Sequence, residues 1–437
     1  MKYLKKFNTE NDRSAYENGE SYIEPYVSYV DGGDVHYNKK PLNYLRFTAL
    51  QNNSSLELKK FDEDNWEEIT PTANVEYSTD GFNWTTWDYS AIVLNQGETV
   101  YIRGNNPSGF STINYEDDYT VHFFSTPNGS FECHGNIMSL LYGSNFEDAL
   151  TIPNAFCFDY LFCNEDTEIG CNITTAPELP ATALTSGCYN SMFARCTGLT
   201  TAPELPATTL TSGCYYEMFL NCTSLVSAPE LPAETLANNC YYNMFNGCTS
   251  LTTAPDLPAT TLANYCYFGM FNSCTSLTTA PELLAETLTS FCYNNMFKGC
   301  TALTTAPDLP ATALEEYCYG YMFDGCTSLT TAPELPATTL TKTCYESMFQ
   351  GCTSLVNAPA LPATTLVTNC YYQMFKGCTN LNYIKAMFTT TPSTSYTNNW
   401  VSGVSATGTF VKNASATWTT TGVNGVPNGW TVETASA

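Results

Sequence analysis

The segment Cys326–Cys352 reads CTSLTTAPELPATTLTKTCYESMFQGC, and close copies of it precede and follow it in the chain. Cysteine opens and closes the segment, and a third cysteine, Cys344, lies between them. Internal repeats decide the fold of a chain, so they are analysed before any local pattern. The evenly spaced thiols raise one question, which is whether they bind metal, form disulfides, take part in catalysis or fill a core.

Eight copies of this unit follow one another without an insertion. Their leading prolines lie 26 residues apart, at Pro177, Pro203, Pro229, Pro255, Pro281, Pro307, Pro333 and Pro359. A first cysteine series has the same period: Cys188, Cys214, Cys240, Cys266, Cys292, Cys318, Cys344 and Cys370. A second series follows it: Cys196, Cys222, Cys248, Cys274, Cys300, Cys326, Cys352 and Cys378. Such strict register predicts a stack of identical coils, numbered here 1 to 8 from Pro177.

Each coil is predicted to hold a short strand, a turn, a short helix and a second turn. The strand is expected at about Leu199–Ala202, because Pro203 removes a ladder hydrogen bond after it. From Thr211 onward, Cys214, Met218 and Cys222 are four residues apart, a spacing typical of a helix. Glycine precedes the closing cysteine in five coils and suits a left-handed helix end. These glycines are Gly247, Gly299, Gly325, Gly351 and Gly377.

Packing is the favoured role of the thiols. The two cysteines of one coil are eight residues apart, about 12 Å along a helix, which is too far for a shared metal ion or a disulfide. The three histidines precede the array, so no Cys–His pair forms within a coil. Equivalent cysteines of adjacent coils are expected about 5 Å apart, which leaves disulfides between coils as an alternative. Free cysteine is among the most often buried residue types, and this favours two structural ladders.

The stretch MFNGCTSLTTAP (Met244–Pro255) resembles the BspA-like leucine-rich repeat, in the 26-residue variety of bacterial surface proteins. Phenylalanine three residues before cysteine and leucine three residues after it carry the resemblance, which covers about residues 170–381. It implies a mixed α/β solenoid, a leucine-rich-repeat array of eight full coils plus caps, used for adhesion and without catalysis. Ala202, in place of a larger aliphatic residue, departs from the pattern.

The chain is divided into five parts on this basis. Residues 1–42 are polar and tyrosine-rich and are expected to form an extended arm. Residues 43–147 contain short alternating segments such as TVYIRG and YTVHFFS, which predict an Ig-like β-sandwich. Residues 148–171 are expected to form a cap coil, residues 172–380 the solenoid, and residues 381–437 a β-rich C-terminal cap.

Charge and hydropathy exclude several classes of protein. The 437 residues include 16 Lys and Arg against 42 Asp and Glu, giving a net charge of −26 that repels nucleic acid. No apolar run approaches the length of a membrane-spanning helix, so membrane insertion is not expected. The N-terminus MKYLKK lacks the apolar stretch of a secretory signal behind it. The expected compartment is therefore the reducing cytoplasm of the producing cell, which argues against disulfides.

Positions that differ from coil to coil are the candidates for recognition, together with an unvarying tyrosine series beside them. Tyrosine offers contact area at low entropy cost and suits protein or glycan contacts. The alternative is that these positions are solvated and under no constraint. The candidate residues are Tyr189, Asn190, Tyr215, Tyr216, Tyr241, Tyr242, Tyr267, Phe268, Tyr293, Tyr319, Tyr321, Tyr345, Tyr371 and Tyr372.

A second candidate is an acidic ladder, in which one position of the coil carries a carboxylate in seven of eight copies. Carboxylates at this spacing repel by up to about 1 kcal/mol per pair, so water and salt, Ca²⁺ or a basic partner must offset the repulsion. A solvated row that keeps the protein soluble is the favoured interpretation, and no other cofactor is expected. The ladder comprises Glu178, Glu204, Glu230, Asp256, Glu282, Asp308 and Glu334, and is broken by Ala360.

The overall layout is also similar to proteins encoded by gut Bacteroidales and their crAss-like phages. The shared features are the arm, a β-domain ending near GNIMSLLYG (Gly135–Gly143), the repeat array and the closing segments NWVSG, GTFVK and GWTV. This resemblance, with the missing signal, implies a virion head-fibre, tail-fibre or capsid decoration protein assembled in the host cytoplasm. The arm would contact other virion proteins, the solenoid a host-surface protein or glycan, and a homotrimer or homodimer is expected.

Two alternatives to the virion protein remain from the sequence. The first is a bacterial cell-surface adhesin of the BspA-like kind, which binds host matrix or other cells. The second is a carbohydrate-active enzyme, which is disfavoured because no catalytic set is recognisable. The protein is therefore expected not to be an enzyme.

Overall fold

The computed structural model describes residues 26–31, 34–39, 42–62, 67–114, 118–164 and 169–435. Within these ranges the chain is mostly β-strand and turn, with one short α-helix, α1 (Ser139–Tyr142), and a 3-10 turn at Gly143–Asn145. The strands are β1 (Tyr26–Asp31), β2 (Asp34–Lys39), β3 (Leu45–Ala49), β4 (Ser54–Asp62), β5 (Glu67–Ile69), β6 (Val75–Ser78), β7 (Thr85–Thr86), β8 (Ile92–Leu94), β9 (Thr99–Gly104), β10 (Thr112–Asn114), β11 (Asp118–Asn128), β12 (Phe131–His134), β13 (Cys163–Asn164), β14 (Ile169–Gly170), β15 (Ile173–Thr175), β16 (Tyr383–Ala386), β17 (Thr409–Lys412) and β18 (Thr431–Thr434).

The β-domain contains two sheets, in which all strand pairs are antiparallel except the pair β12-β15. One has the order β10-β11-β4-β5 with β8 beside β4, and the other the order β15-β12-β3-β9-β6-β7. The inward rings of Phe47 in β3 and Phe124 in β11 lie 5.1 Å apart, so the two sheets share an aromatic core. Strand β15 pairs in parallel with β12 through Phe131 and Ile173, and it thereby connects this core to the first coils.

The predicted N-terminal arm is described only in part, because residues 1–25 lie outside the described ranges. Strands β1 and β2 form an antiparallel pair in which Tyr26 lies opposite Lys39 and Asp31 opposite Asp34. The two described segments of residues 1–42 are thus paired strands, and the expectation of an extended arm stays a prediction.

The array repeats a buried pattern of cysteine and aromatic residues from about residue 157 to residue 378, as the period predicts. In coil 4, Cys266, Met270, Phe271 and Cys274 have no exposed surface, and Leu277 completes the layer. The same positions are buried in all eight coils, and they join the β-domain core in a single hydrophobic cluster. Stacking of the coils thus buries the apolar side chains that a single coil would leave exposed to solvent.

The predicted helix is absent from every coil, and a chain of tight turns takes its place. In coil 2 the even-numbered N–H groups from Cys214 to Cys222 donate to the carbonyl three residues back. Gly213, Glu217 and Asn221 have φ of 62°, 52° and 57°, a left-handed conformation at every fourth residue that no α-helix contains. The four-residue spacing of Cys214, Met218 and Cys222 therefore arises from the turns, and the helix prediction is wrong.

The odd-numbered N–H groups of the same segment hold the coils together. Those of Gly213, Tyr215, Glu217, Phe219 and Asn221 donate to carbonyls of coil 3 over distances of 2.7–3.1 Å. Five such bonds give this segment the role that a paired strand has in other repeat proteins, because every second peptide bonds along the stack.

The predicted strand at Leu199–Ala202 is reduced to a single bridge. Thr201 pairs in parallel with Thr175 on one side and with Ser227 on the other, and the same bridge recurs up to Thr331. The proline that follows in each coil has no N–H, so the ladder ends where Pro203 begins.

Both ends of the array are closed by variants of the coil. Before coil 1, Phe158 and Phe162 donate N–H groups to Cys188 and Met192, and their rings begin the buried ladders. After coil 8, Trp400 occupies the next methionine position, one period after Met374, and its ring lies 6.1 Å from that of Phe375. The parallel sheet β16-β17-β18 packs beside it. Large rings thus cover the terminal layers.

Candidate functional site

One row of positions in the turn segment is partly exposed in the coils. In coil 2 these are positions 213, 216, 217, 220 and 221, whereas positions 214, 215, 218, 219 and 222 are buried. The row and its equivalents in the other coils are called the turn face. It contains the positions that differ from coil to coil, and the ladder of hydrogen bonds between coils fixes its backbone.

The unvarying tyrosine series lies inside the array and not on its surface. Each ring is about 1% exposed, and successive rings stack at 5.8–6.0 Å between centroids. Burial raises the pKa of these phenols well above the ordinary value. A buried ring cannot contact a partner, so the sequence-based assignment is wrong for Tyr189, Tyr215, Tyr241, Tyr267, Tyr293, Tyr319, Tyr345 and Tyr371.

The other predicted recognition residues, Asn190, Tyr216, Tyr242, Phe268, Tyr321 and Tyr372, are half-buried on the turn face. Three of them form a row in which the rings of Tyr216, Tyr242 and Phe268 stack at 4.6 Å, with planes within 3° of parallel. Each ring covers the face of the next, so the exposed part of the middle ring, Tyr242, is its edge.

A second row was not identified from the sequence. The rings of Tyr265, Phe291 and Tyr317 also stack at 4.6 Å, three residues earlier in their coils. The two rows meet in coil 4, where the rings of Tyr265 and Phe268 are 5.9 Å apart. The six residues are called the aromatic band. Aligning the coils by position would have revealed it, because each row is an unbroken run of three aromatic residues.

The aromatic band lies on an almost uncharged part of the chain. The turn segments 239–247 and 265–273, in coils 3 and 4, contain no charged residue. At one edge the carboxylate of Glu217 accepts a hydrogen bond of 3.1 Å from the Asn243 amide. Burial raises the pKa of Glu217, while that hydrogen bond and the Arg195 guanidinium lower it.

Coils 6 to 8 continue the turn face with hydrogen-bonded polar groups. The Tyr321 hydroxyl donates to Glu346 Oε1 at 2.7 Å. In coil 8, Gln373 Nε2 donates to the Tyr372 hydroxyl at 3.2 Å, and Lys376 Nζ donates to Gln373 Oε1 at 3.4 Å. These five residues are called the polar patch. Glu346 is buried and the other four are half-buried, so these bonds hold the Tyr321 hydroxyl and the Tyr372 and Gln373 side chains in place on the turn face.

All twenty cysteines are buried as thiols and not as disulfides. Burial raises the pKa of the thiols in both series, for example to about 12 for Cys214 and for Cys292. In the second series each thiol also donates to a phenylalanine carbonyl of the preceding coil, as Cys274 does to Phe245 at 3.1 Å. These thiols therefore both fill space and bond the coils together.

The seven carboxylates of the acidic ladder are all exposed. Glu178 accepts a hydrogen bond of 2.8 Å from the Asn43 amide, at the junction with the β-domain. Across the described ranges, no three His, Cys, Asp or Glu side chains come together as metal ligands. The ladder is thus a solvated row, with carboxylates one coil apart.

Two further observations bear on function. In the described part of the chain, no helix has both the length and the apolar character needed to cross a bilayer. No protein-family model, curated protein or solved structure matches this chain.

Proposed function

We propose that this is a non-enzymatic structural and adhesion protein that binds a protein or glycan of a host-cell surface through the turn face. One observation carries the proposal: the positions that are buried in every coil keep their residues, whereas the turn-face positions, partly exposed in most coils, change. At position 216 and its equivalents the residues include Asn190, Tyr216, Phe268, Gly320 and Glu346. Variation confined to one rigid surface is expected of a binding surface.

The polar patch supports direct contact with such a ligand. Binding costs less when side chains are already ordered, and the bonds joining Tyr321 to Glu346 and Tyr372 to Gln373 provide that order. Tyrosine and amide side chains combine ring area with hydrogen bonding, which suits hydroxylated or peptide ligands.

For the location, the proposal is a bacteriophage virion: a head fibre, a tail fibre or a capsid decoration protein of a crAss-like phage. The resemblance of the repeat to the BspA-like leucine-rich repeat and of the whole layout to such phage proteins supports this. Peptide mass spectrometry of purified particles tests the location, since the protein must be present in them. Its absence from particles, together with its presence on bacterial cells, would instead identify a bacterial surface adhesin.

Adhesion is tested with the full-length protein, fluorescently labelled and titrated onto candidate host cells. Tyr372→Asn and Gln373→Ser take their new residues from Asn190 and Ser191, at the same positions of coil 1, so the fold should accept both. We expect the double variant to lower affinity at least tenfold. The control, Glu282→Ala on the acidic ladder, imitates Ala360 and should bind as the wild type does. Equal binding by all three proteins would refute recognition by this surface.

A further inference from the structure

The aromatic band has a pattern that fits a second copy of itself. We propose that two copies of this chain associate face to face through the band, with a two-fold axis at coil 4. This rests on the proposed function in one respect, which is that the turn face is the interaction surface. The polar-patch residues of coil 8, Tyr372, Gln373 and Lys376, lie outside the coils that carry the band and remain available for the host ligand.

In the coils on either side of coil 4, one of the two band positions holds an aromatic ring and the other holds a small residue. Coil 4 carries two rings, those of Tyr265 and Phe268. The flanking coils pair a ring with glycine or asparagine, as follows: Tyr216 with Gly213, Tyr242 with Asn239, Phe291 with Asn294, and Tyr317 with Gly320. The ring occupies the later position in coils 2 and 3 and the earlier position in coils 5 and 6.

A two-fold axis across the array at coil 4 brings coil 2 opposite coil 6 and coil 3 opposite coil 5. Tyr216 of one copy then faces Gly320 of the other, and Tyr242 faces Asn294. A two-fold axis along the array instead brings Tyr242 opposite Asn239 in the same coil. In both arrangements every flanking ring meets a small residue, so ridges of one copy enter depressions of the other. Such self-complementarity is what an isologous contact requires.

One space opposite a ring is open in the structure, at Gly213, whereas the space beside Gly320 holds the Asn294 side chain, whose amide nitrogen would lie 2.6 Å from an added methyl group. A methyl group added to Gly213 would meet only Tyr216 Cβ, at 3.9 Å, so the space above this glycine is open. Asn294 is only 3% exposed, and its amide donates to the Tyr317 carbonyl at 3.2 Å, which keeps it below the level of the rings. A ring of the second copy can therefore enter the space above Gly213, and opposite Gly320 it would lie against the Asn294 side chain.

Charge favours this surface over the rest of the chain for contact between copies. Two chains of net charge −26 repel each other wherever their carboxylates meet. The central turn segments, 239–247 and 265–273, contain no charged residue. Depletion of charge and enrichment of aromatic residues are the features of the core of a protein interface.

The area is sufficient for a reversible dimer. An aromatic residue has about 150–250 Å² of surface, and roughly 50 Å² of each half-buried ring would remain to be covered. With the flanking amides this gives on the order of 500 Å² per copy, or about 1,000 Å² in total, the lower limit of specific interfaces. We therefore expect a dissociation constant in the micromolar range.

Sedimentation equilibrium of the full-length protein tests the proposal with substitutions that other coils already contain. Tyr242→Asn, which copies Asn294, removes a ring and should weaken dimerisation at least tenfold. Asn239→Tyr, which copies Tyr265, adds a ring where a partner ring must enter, and it should also weaken dimerisation at least tenfold. Glu282→Ala, which copies Ala360, should leave the dissociation constant unchanged.

The Asn239→Tyr variant distinguishes self-association through the band from binding of a different partner there. A wild-type chain that stays monomeric up to about 100 µM, or tighter self-association of Asn239→Tyr, would overturn the proposal. A monomer that still binds host cells would overturn only the dimer and leave adhesion in place. A dimer that binds no host cells would overturn adhesion and leave the dimer in place. In each case circular dichroism of the variants confirms that the coils remain folded.

Discussion

Tyr215 and Tyr216 are neighbours in the chain with opposite environments. The ring of Tyr215 is buried and stacks on the next coil at 5.9 Å, whereas the half-buried ring of Tyr216 stacks at 4.6 Å on the surface. The inner position is tyrosine in all eight coils, but the outer position changes. An inner ring fills a gap in the core that only a ring of similar size fills, whereas the space of an outer ring is open to water. Variation thus follows from packing, and it marks where binding can evolve.

The largest effect expected from this comparison is on stability. Tyr267→Ala leaves a cavity in the inner ladder and should lower the free energy of unfolding by about 3–5 kcal/mol. The adjacent Phe268→Ala removes a half-buried ring and should cost about 1 kcal/mol or less. Urea titration followed by circular dichroism measures both. Similar losses from the two substitutions would contradict the distinction between inner and outer rings.

Cysteine allows the same comparison between a buried and an exposed position with a smaller side chain. Cys274→Ala removes a buried sulfur and its bond to the Phe245 carbonyl, at an expected cost of about 1–2 kcal/mol. Ser273→Ala, at the neighbouring exposed position, should cost a few tenths of a kcal/mol. The same urea titration decides between them, and equal stabilities would show that the second cysteine series contributes nothing to the stack.

Removing a phenol hydroxyl should change the free energy of unfolding in opposite directions for a buried tyrosine and for a tyrosine on the turn face. The Tyr189 hydroxyl is buried and has no hydrogen-bond partner, so Tyr189→Phe should raise the free energy of unfolding by about 1 kcal/mol. The Tyr321 hydroxyl donates to Glu346, so Tyr321→Phe should lower it by a similar or smaller amount. Thermal unfolding compares the pair, and a loss from Tyr189→Phe would mean that its hydroxyl is satisfied.

The smallest effect concerns pH. Burial holds the pKa of Glu217 above its ordinary value, so the charged form is disfavoured in the folded chain. That cost is absent at pH values below the unfolded pKa and is fully present above the folded one. Glu217→Gln should therefore raise the unfolding midpoint at about pH 7 and leave it unchanged at about pH 4. The same increase at both values would exclude ionisation of Glu217 as the cause.

Much of the array was predictable, because the strict period and the repeating apolar positions can both be seen in the sequence. The repeating Leu, Met, Phe and Cys positions had to face a common core, and they do. The helix prediction failed because a four-residue spacing is shared by helices and by alternating turns. Only the conformation of residues such as Glu217 and Asn221 separates the two, and the recurrence of Gly or Asn at every fourth position was the available signal.

The candidate site was predictable only in part. Variable positions led to Tyr216, Tyr242 and Phe268, but tyrosine suits both a core and a surface, so the inner series was misassigned to the surface. Tyr265 and Phe291 were missed because their column looks variable until coils 4 to 6 are read together. Stacking between coils is a relation between distant residues, and a single coil does not reveal it.

The hydrogen bonds that join the coils have a mechanical consequence. They run along the stack, five between coil 2 and coil 3, so a pull on the two ends of the array loads all five at once. Once one junction opens, the freed coil adds 26 residues, or about 90 Å of extended chain, before the next junction bears the force. Under tension the array would lengthen in equal steps and dissipate work at each one.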